Sequence, residues 1–209
     1  LEKALMGRFG AHQRFLVAHQ LAHIDSLDEL IEQVSGEIEE RMRPFEEAVE
    51  RLDMIPGVGR ETADVIVAEI GVEMSRFGSP ERLSSWAKLC PEKSESAGKE
   101  HRAQIGHGNK ALQAALVQAA NAVSRSRKSY LSALYHRLAS RRGKNKAVIA
   151  VAHAILVIVY HLLDRKESYR DLGPNYFDQR NKEAVRRRLV RRLQDLGYKV
   201  TAEPDPVAA

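Results

Sequence analysis

The segment Ile55-Pro56-Gly57-Val58-Gly59 has residue types that suit the binding of a phosphate. Gly57 and Gly59 allow a tight turn whose backbone N–H groups face outward at the start of the next helix. Those N–H groups and the helix dipole suit a phosphate oxygen. The pattern predicts a helix–hairpin–helix motif that fixes the position of a nucleic-acid backbone without reading its sequence. An inter-helix turn that uses glycine for packing is the alternative, and the nearby Glu61 disfavours tight phosphate contact.

Positive charge is concentrated in the second part of the sequence. Residues 1–55 hold 6 basic and 12 acidic residues, whereas the whole chain has a net charge of +5. From Lys99 to Lys146 the only acid is Glu100, and a second basic run lies at residues 186–192. Such blocks predict a polyanionic partner, most often nucleic acid, and a solvated surface is the alternative. The basic residues assigned to nucleic-acid binding are Lys99, Arg102, Lys110, Arg125, Arg127, Lys128, Arg141, Arg142, Lys144 and Lys146.

An ordered series of motifs follows the glycine hairpin. The series comprises a Phe77 turn, a Trp86 helix, a loop ending in Ser96-Ala97-Gly98-Lys99, and the sequence Gly106-His107-Gly108-Asn109 before an alanine-rich helix. In this order the motifs resemble the C-terminal half of the Piv-like DEDD insertion-sequence transposases, a family of bridge-RNA-guided recombinases. The resemblance extends from about residue 52 to residue 163 and includes the helical arm before it. The segment at residues 169–173 resembles one subgroup.

The resemblance implies a serine nucleophile at Ser96, with Ser94 as the alternative register because Ala97 stands where the family can have glycine. A serine hydroxyl needs a base, a metal or cationic neighbours to attack, and without the resemblance a solvated loop serine is the favoured interpretation. The nearby cations Lys99, Arg102 and Lys110 could stabilise charge on a transferring phosphate. The nearest bases in sequence, His101 and His107, are not assigned a role.

The resemblance also implies partners and a missing domain. In the family, four acidic residues of an N-terminal RuvC-like domain hold magnesium, so we expect the cofactor there and no metal on this chain. DNA, a structured guide RNA and further copies of the protein are the implied partners. We expect the chain, which starts with Leu1, to be an inactive fragment of a longer cytoplasmic protein.

The elements that position these residues are predicted to be mostly α-helical, with at most a short β-hairpin. A helix over residues 1–22 and a second one starting at Ser26 and kinked at Pro44 form a coiled-coil-like arm. The predicted divisions are an arm at 1–51, a helix–hairpin–helix and catalytic-serine domain at 52–166, and a basic helix and tail at 167–209. Further helices are predicted at about 60–70, 80–89, 109–124, 130–138, 147–163 and 182–196.

Other residues are given structural roles. The apolar helix at 147–163 is too short for a membrane span, so we interpret it and its two histidines, His153 and His161, as core. We also interpret Trp86 as core, in a stripe with Leu83 and Leu89. The single cysteine, Cys90, excludes a disulfide framework. The pair His19 and His23 has a spacing that could hold a metal but lacks a third ligand.

A second function class stays open. A non-catalytic helix–hairpin–helix module that binds DNA or structured RNA needs the same glycines and basic residues but has no use for Ser96. Replacing Ser96 by alanine should preserve binding in both cases and abolish strand exchange only in a transposase.

Overall fold

A computed structural model describes residues 10–90, 94–96, 99–101 and 108–201, with side chains outside the segment 91–107. The contacts divide the chain into two compact units, Leu1–Glu46 and Glu47–Ala209. The fold is mostly α, as predicted, and the described strands form one short β-hairpin.

The first unit is dominated by one long helix. Helix α1 spans Ala11–Met42 and is followed by a 3-10 turn at Arg43–Phe45. The predicted break at Ser26 is wrong: a serine caps a helix only where the backbone stops being helical, and no glycine or proline stops it here. The predicted effect of Pro44 is confirmed, because it lies in the 3-10 turn, where its missing N–H ends the α-helical hydrogen bonding.

The second unit contains most of the elements. Its helices and strands are α2 (Glu46–Asp53), α3 (Arg60–Ile70), a 3-10 turn (Met74–Arg76), α4 (Pro80–Trp86), β1 (Ser94–Ser96), β2 (Lys99–His101), α5 (Lys110–Ser124), α6 (Tyr130–Arg142), α7 (Lys144–Arg165), α8 (Tyr176–Arg180) and α9 (Lys182–Asp195). The side chains of Ser79, Asn109 and Ser129 cap α4, α5 and α6 by accepting a backbone N–H from the first turn.

The core of this unit is built around α7. This helix packs against α4, α5 and α6, while α3 packs on α5. Its residues Val151, Ile155, Leu156 and Val159 are fully buried. Among the described residues α7 is the one helix long and apolar enough to cross a membrane by length and composition, but half of its apolar window is buried by its neighbours. That packing agrees with the predicted core helix.

The structure corrects the position of Trp86. Leu83 and Leu89 are buried as predicted, but 45% of Trp86 is exposed. The buried face of α4 is formed by Leu83 and Ser84 and is continued by Ala87 directly after the helix, and Trp86 lies to one side of it. Leu89 is beyond the end of the helix, so the three-residue spacing that suggested one stripe does not apply there.

Candidate functional site

The β-hairpin carries the predicted nucleophile. Its strands are antiparallel, with Ser96 opposite Lys99, Glu95 opposite Glu100 and Ser94 opposite His101. The predicted pair Ser96 and Lys99 therefore occupies facing register positions. The structure describes the backbone of these six residues but not their side chains. Arg102 and His107 lie outside the described residues. Lys110 is the exposed first residue of α5.

Both ends of the segment that bears the hairpin are held beside Ala87. The Gln113 side-chain amide donates a hydrogen bond to the Ala87 carbonyl oxygen at 2.8 Å. On the return side, a Cβ added to Gly108 would lie 2.4 Å from the same oxygen. Any larger residue at 108 would collide with backbone. The two ends of the segment 88–107 therefore lie close together, next to the Ala87 carbonyl group.

Asn109 adds a second attachment at the returning end. Its side-chain oxygen accepts the Leu112 backbone N–H at 3.0 Å and so caps α5. Its side-chain nitrogen donates to the Glu69 carboxylate at 2.5 Å, which links α5 to α3. The Gly-His-Gly-Asn motif thus connects the serine-bearing segment to the helix of the glycine hairpin.

The two glycines of the hairpin have different surroundings. Gly57 has φ +88°, and a Cβ there would lie 2.5 Å from the Ala119 carbonyl oxygen and 2.6 Å from a Val123 methyl group. Gly57 is therefore required for packing against the end of α5. Gly59 precedes α3 as its N-cap with φ −96°, and a Cβ there would meet nothing within 4 Å. A side chain is therefore excluded at Gly57 and accommodated at the exposed Gly59, at the start of α3.

Seven of the predicted basic residues are divided between the two ends of α6, whereas Lys110 lies apart from them at the start of α5. This helix has 13 residues, so its ends lie about 18 Å apart. The side chains of all seven residues in the two clusters are exposed. The loop cluster, before α6, consists of Arg125, Arg127 and Lys128, and the turn cluster, after it, consists of Arg141, Arg142, Lys144 and Lys146.

Side chains fix the backbone of the loop cluster. The Ser126 carbonyl oxygen accepts a hydrogen bond from the Ser132 hydroxyl and contacts the His136 ring nitrogen at 3.2 Å. The Ser126 hydroxyl in turn accepts the Lys128 N–H at 3.2 Å. The loop follows Val123, the residue against which Gly57 packs. The glycine hairpin and the loop cluster therefore lie at the same end of α5.

Near the turn cluster the structure adds residues that the sequence prediction did not assign. Arg137, Arg141 and Arg188 line a cleft of about 480 Å³ with Phe177 and Asp178. The Arg137 guanidinium lies 5.1 Å from the centre of the Phe177 ring, a cation–π contact. The sequence includes Arg188 in the basic run at residues 186–192. It did not predict that Arg188 lies beside α6, because that position depends on how the chain after α7 folds back onto the core.

Asp171 fastens that returning chain. Its carboxylate accepts the Tyr130 backbone N–H at 3.1 Å, at the start of α6, and the Gly173 N–H at 2.5 Å. The Tyr169 hydroxyl donates to the same carboxylate at 3.0 Å. Burial, and then this hydrogen bond, raise the pKa of Tyr169, so the hydroxyl remains a donor. The segment that resembles one transposase subgroup is thus a structural attachment, and it brings Phe177 against Tyr130.

The histidines do not form a metal site in the described part of the chain. His19 and His23 are exposed on α1, and no group of three or more His, Cys, Asp or Glu residues among those described is arranged to hold a metal. His153 and His161 are half-buried on α7 and face Glu81. Burial lowers the pKa of His153, while the Glu81 carboxylate opposes that shift.

Comparison with known proteins gives two matches. Residues 49–136 match the family model described as Transposase IS116/IS110/IS902 family. The transposase for insertion sequence element IS1111A of Coxiella burnetii is 34% identical over 142 residues, which are 65% of this chain. The chain spans 39% of the length of that relative. The range 49–136 contains the glycine hairpin, the strand with Ser96 and the loop cluster.

Proposed function

We propose that this chain, whose residues 49–136 match the model of the IS116/IS110/IS902 transposase family as the sequence resemblance predicted, is the part of a DNA transposase that presents the attacking serine. The observation that carries the proposal is the attachment of the serine-bearing segment. Its two ends are held at Ala87 by Gln113 and Gly108. A nucleophile must reach phosphorus within a few tenths of an ångström, and fixed ends limit where it can go.

In the proposed reaction the Ser96 oxygen attacks a phosphorus atom of the DNA backbone. The serine hydroxyl gives up its proton, the bond between phosphorus and the 3′ sugar oxygen breaks, that oxygen takes up a proton and leaves as a 3′-hydroxyl, and the serine oxygen remains esterified to the 5′ phosphate. A 3′-hydroxyl of another strand end then attacks the same phosphorus and releases the serine. Lys99, opposite Ser96 in the hairpin, supplies positive charge near the transferring group.

No divalent cation is assigned to this chain. The described residues contain no cluster of ligands that would hold one. As the family resemblance implies, we place magnesium in carboxylates outside this chain, so the chain by itself should not cleave DNA. The guide RNA and a cytoplasmic location are parts of the same proposal.

Nucleic-acid backbone would contact the loop cluster and the turn cluster. The two clusters lie about 18 Å apart across α6. That distance is about five base-pair steps of B-DNA at 3.4 Å each, so one duplex can span both clusters. The binding should weaken steeply with salt, because each neutralised phosphate releases counterions.

The arm is proposed to pair with the arm of a second copy. Six of its exposed apolar residues lie at a and d positions of a heptad, with β-branched residues at the a positions. These are Val17, Ile24, Ile31 and Ile38, with Leu27 and Val34 at d positions. Light scattering tests the pairing: Ile31→Lys should halve the mass, whereas Gln33→Lys, outside the apolar stripe, should not. An unchanged mass for Ile31→Lys would contradict it.

The function is tested with a covalent adduct. The full reading frame, its RNA, Mg²⁺ and a nicked DNA substrate are combined, and protein–DNA adducts are resolved on a denaturing gel. Ser96→Ala should abolish the adduct, and the matched variant Ser94→Ala should retain it. The reverse pattern would move the nucleophile to Ser94.

A second candidate function is a non-catalytic helix–hairpin–helix module, and the open space at Gly59 favours it. Salt-sensitive DNA binding without an adduct, in the wild type and both serine variants, would support this candidate against the transposase.

A further inference from the structure

Trp86 is exposed because of how α4 ends. Lys88 has φ +54°, and its backbone N–H donates to the Ser85 carbonyl, while the Leu89 N–H donates to the Ser84 carbonyl. This pair of hydrogen bonds is a Schellman motif, which turns the chain sharply after the helix. Leu89 is thereby directed into the core, whereas Trp86 stays on the surface with 45% of its area accessible.

Two neighbours give this surface a mixed aromatic and cationic character. The Phe77 ring lies 5.5 Å from the Trp86 ring, at an angle of 59°. Arg82 is one turn before Trp86 on α4 and therefore on the same side of the helix. An Arg82 terminal nitrogen lies 3.3 Å from where a Cβ of Gly78 would be. Its guanidinium thus covers the turn directly after Phe77, and no carboxylate is paired with it among the described residues.

This surface adjoins the segment that carries Ser96. Trp86 is followed by Ala87, whose carbonyl oxygen contacts both Gln113 and the position of Gly108. The segment from 88 to 107 therefore begins and ends next to the exposed indole. The base of the serine-bearing segment is therefore a neighbour of this surface.

We propose that Trp86, Phe77 and Arg82 form a binding site for one unpaired nucleotide of DNA beside the phosphate that reacts. The base stacks on the indole, and the Arg82 guanidinium contacts the phosphate of the same nucleotide. Every base has a π-face, so an exposed tryptophan stacks on any of them, and arginine adds charge. This inference rests on the proposed function, because strand exchange requires strand ends that are at least briefly unpaired.

The fluorescence of Trp86 offers a direct test, since this is the single tryptophan of the sequence. The full 209-residue chain is titrated with a single-stranded oligothymidylate, and with the same oligonucleotide made of abasic sites. Stacking should quench the fluorescence with the thymidylate and not with the abasic strand, although both should bind with similar salt dependence. Equal quenching by the two strands, or none, would overturn the proposal.

Variants give an independent measurement by fluorescence anisotropy of a labelled oligonucleotide. Trp86→Ala should weaken binding of the thymidylate about tenfold and binding of the abasic strand little, because one stacked base is lost. Trp86→Phe should restore most of the affinity, and it guards against a merely structural effect of the alanine. Arg82→Ala should weaken binding of both strands and lower the salt dependence by about one phosphate.

The outcomes separate this proposal from the proposed function. If both strands bind but Trp86→Ala weakens them equally, the nucleotide site is wrong and the transposase assignment stands. If neither strand nor a DNA duplex binds at low salt, the proposed function is contradicted as well.

Discussion

The two glycines of the hairpin should respond to substitution in opposite ways. Gly57→Ala places a methyl group 2.5 Å from the Ala119 carbonyl oxygen at a φ of +88°. A left-handed backbone costs an L-residue about 1–2 kcal/mol, and overpacking costs about 1–3 kcal/mol more. We therefore expect the free energy of unfolding to fall by about 2–5 kcal/mol, which lowers the melting temperature by roughly 4–20 °C in a unit of this size.

Gly59→Asp is the matched variant in the same turn. Its φ of −96° suits any residue, and nothing lies within 4 Å of its Cβ. Aspartate is a strong N-cap and its charge favours the start of a helix, so stability should be unchanged or raised by about 0.5 kcal/mol. The same charge would repel a phosphate held there. Binding of a DNA duplex at about 0.1 M salt should weaken roughly tenfold.

The measurements are thermal unfolding followed by circular dichroism and duplex binding followed by anisotropy. Gly57→Ala with wild-type stability would refute the packing role derived from Ala119 and Val123. Gly59→Asp with wild-type affinity would show that the hairpin does not bind phosphate. Duplex binding would then be assigned to the basic clusters alone.

Three further predictions concern stability. Asp171→Ala should lower the free energy of unfolding by about 1–2 kcal/mol, because the carboxylate that accepts the Tyr130 and Gly173 N–H groups is lost; urea unfolding measures this, and an effect no larger than that of the exposed control Asp164→Asn would contradict it. Burial lowers the pKa of His153 below 6.5 in the fold, so the unfolded state takes up the proton first and stability falls as pH drops through 6.5. Unfolding at pH 7.5 and 5.5 should show a smaller difference in His153→Gln, and an equal difference would exclude this histidine as a cause. Lys166 ends α7 with φ +54°, so Lys166→Gly should raise stability by about 0.5–1 kcal/mol, and a lower melting temperature would refute the strain.

Much of the local structure was predictable because it depends on residues close in sequence. The caps at Ser79 and Asn109, the start of α3 after Gly59 and the core periodicity of α7 follow from hydrogen bonds and hydrophobic spacing within one helix. The error at Ser26 has the same local origin. A capping pattern predicts a boundary, but adjoining helix formers without glycine or proline allow the helix to continue.

The functional surface depended on contacts between distant segments. In the sequence, Gly57 and Gly59 have the same predicted role. The structure distinguishes them, because α5 packs against Gly57 and leaves no room for a side chain there, whereas nothing lies within 4 Å of a Cβ at Gly59. The sequence predicted Trp86 to be in the core because its spacing from Leu83 and Leu89 fits one face of a helix. The helix ends before Leu89, at the turn formed by Lys88, and Trp86 is exposed.

By itself the sequence determined the helical class, the concentration of positive charge and the order of motifs that resembles the transposase family. Those properties are carried by residue types and short spacings. The tertiary structure decided that the basic residues form two clusters at opposite ends of α6, and that Asp171 brings Arg188 beside Arg141. Tyr130 and Asp171 are 41 positions apart in sequence and meet because α7, which lies between them in the chain, packs in the core. No short sequence pattern predicts that contact.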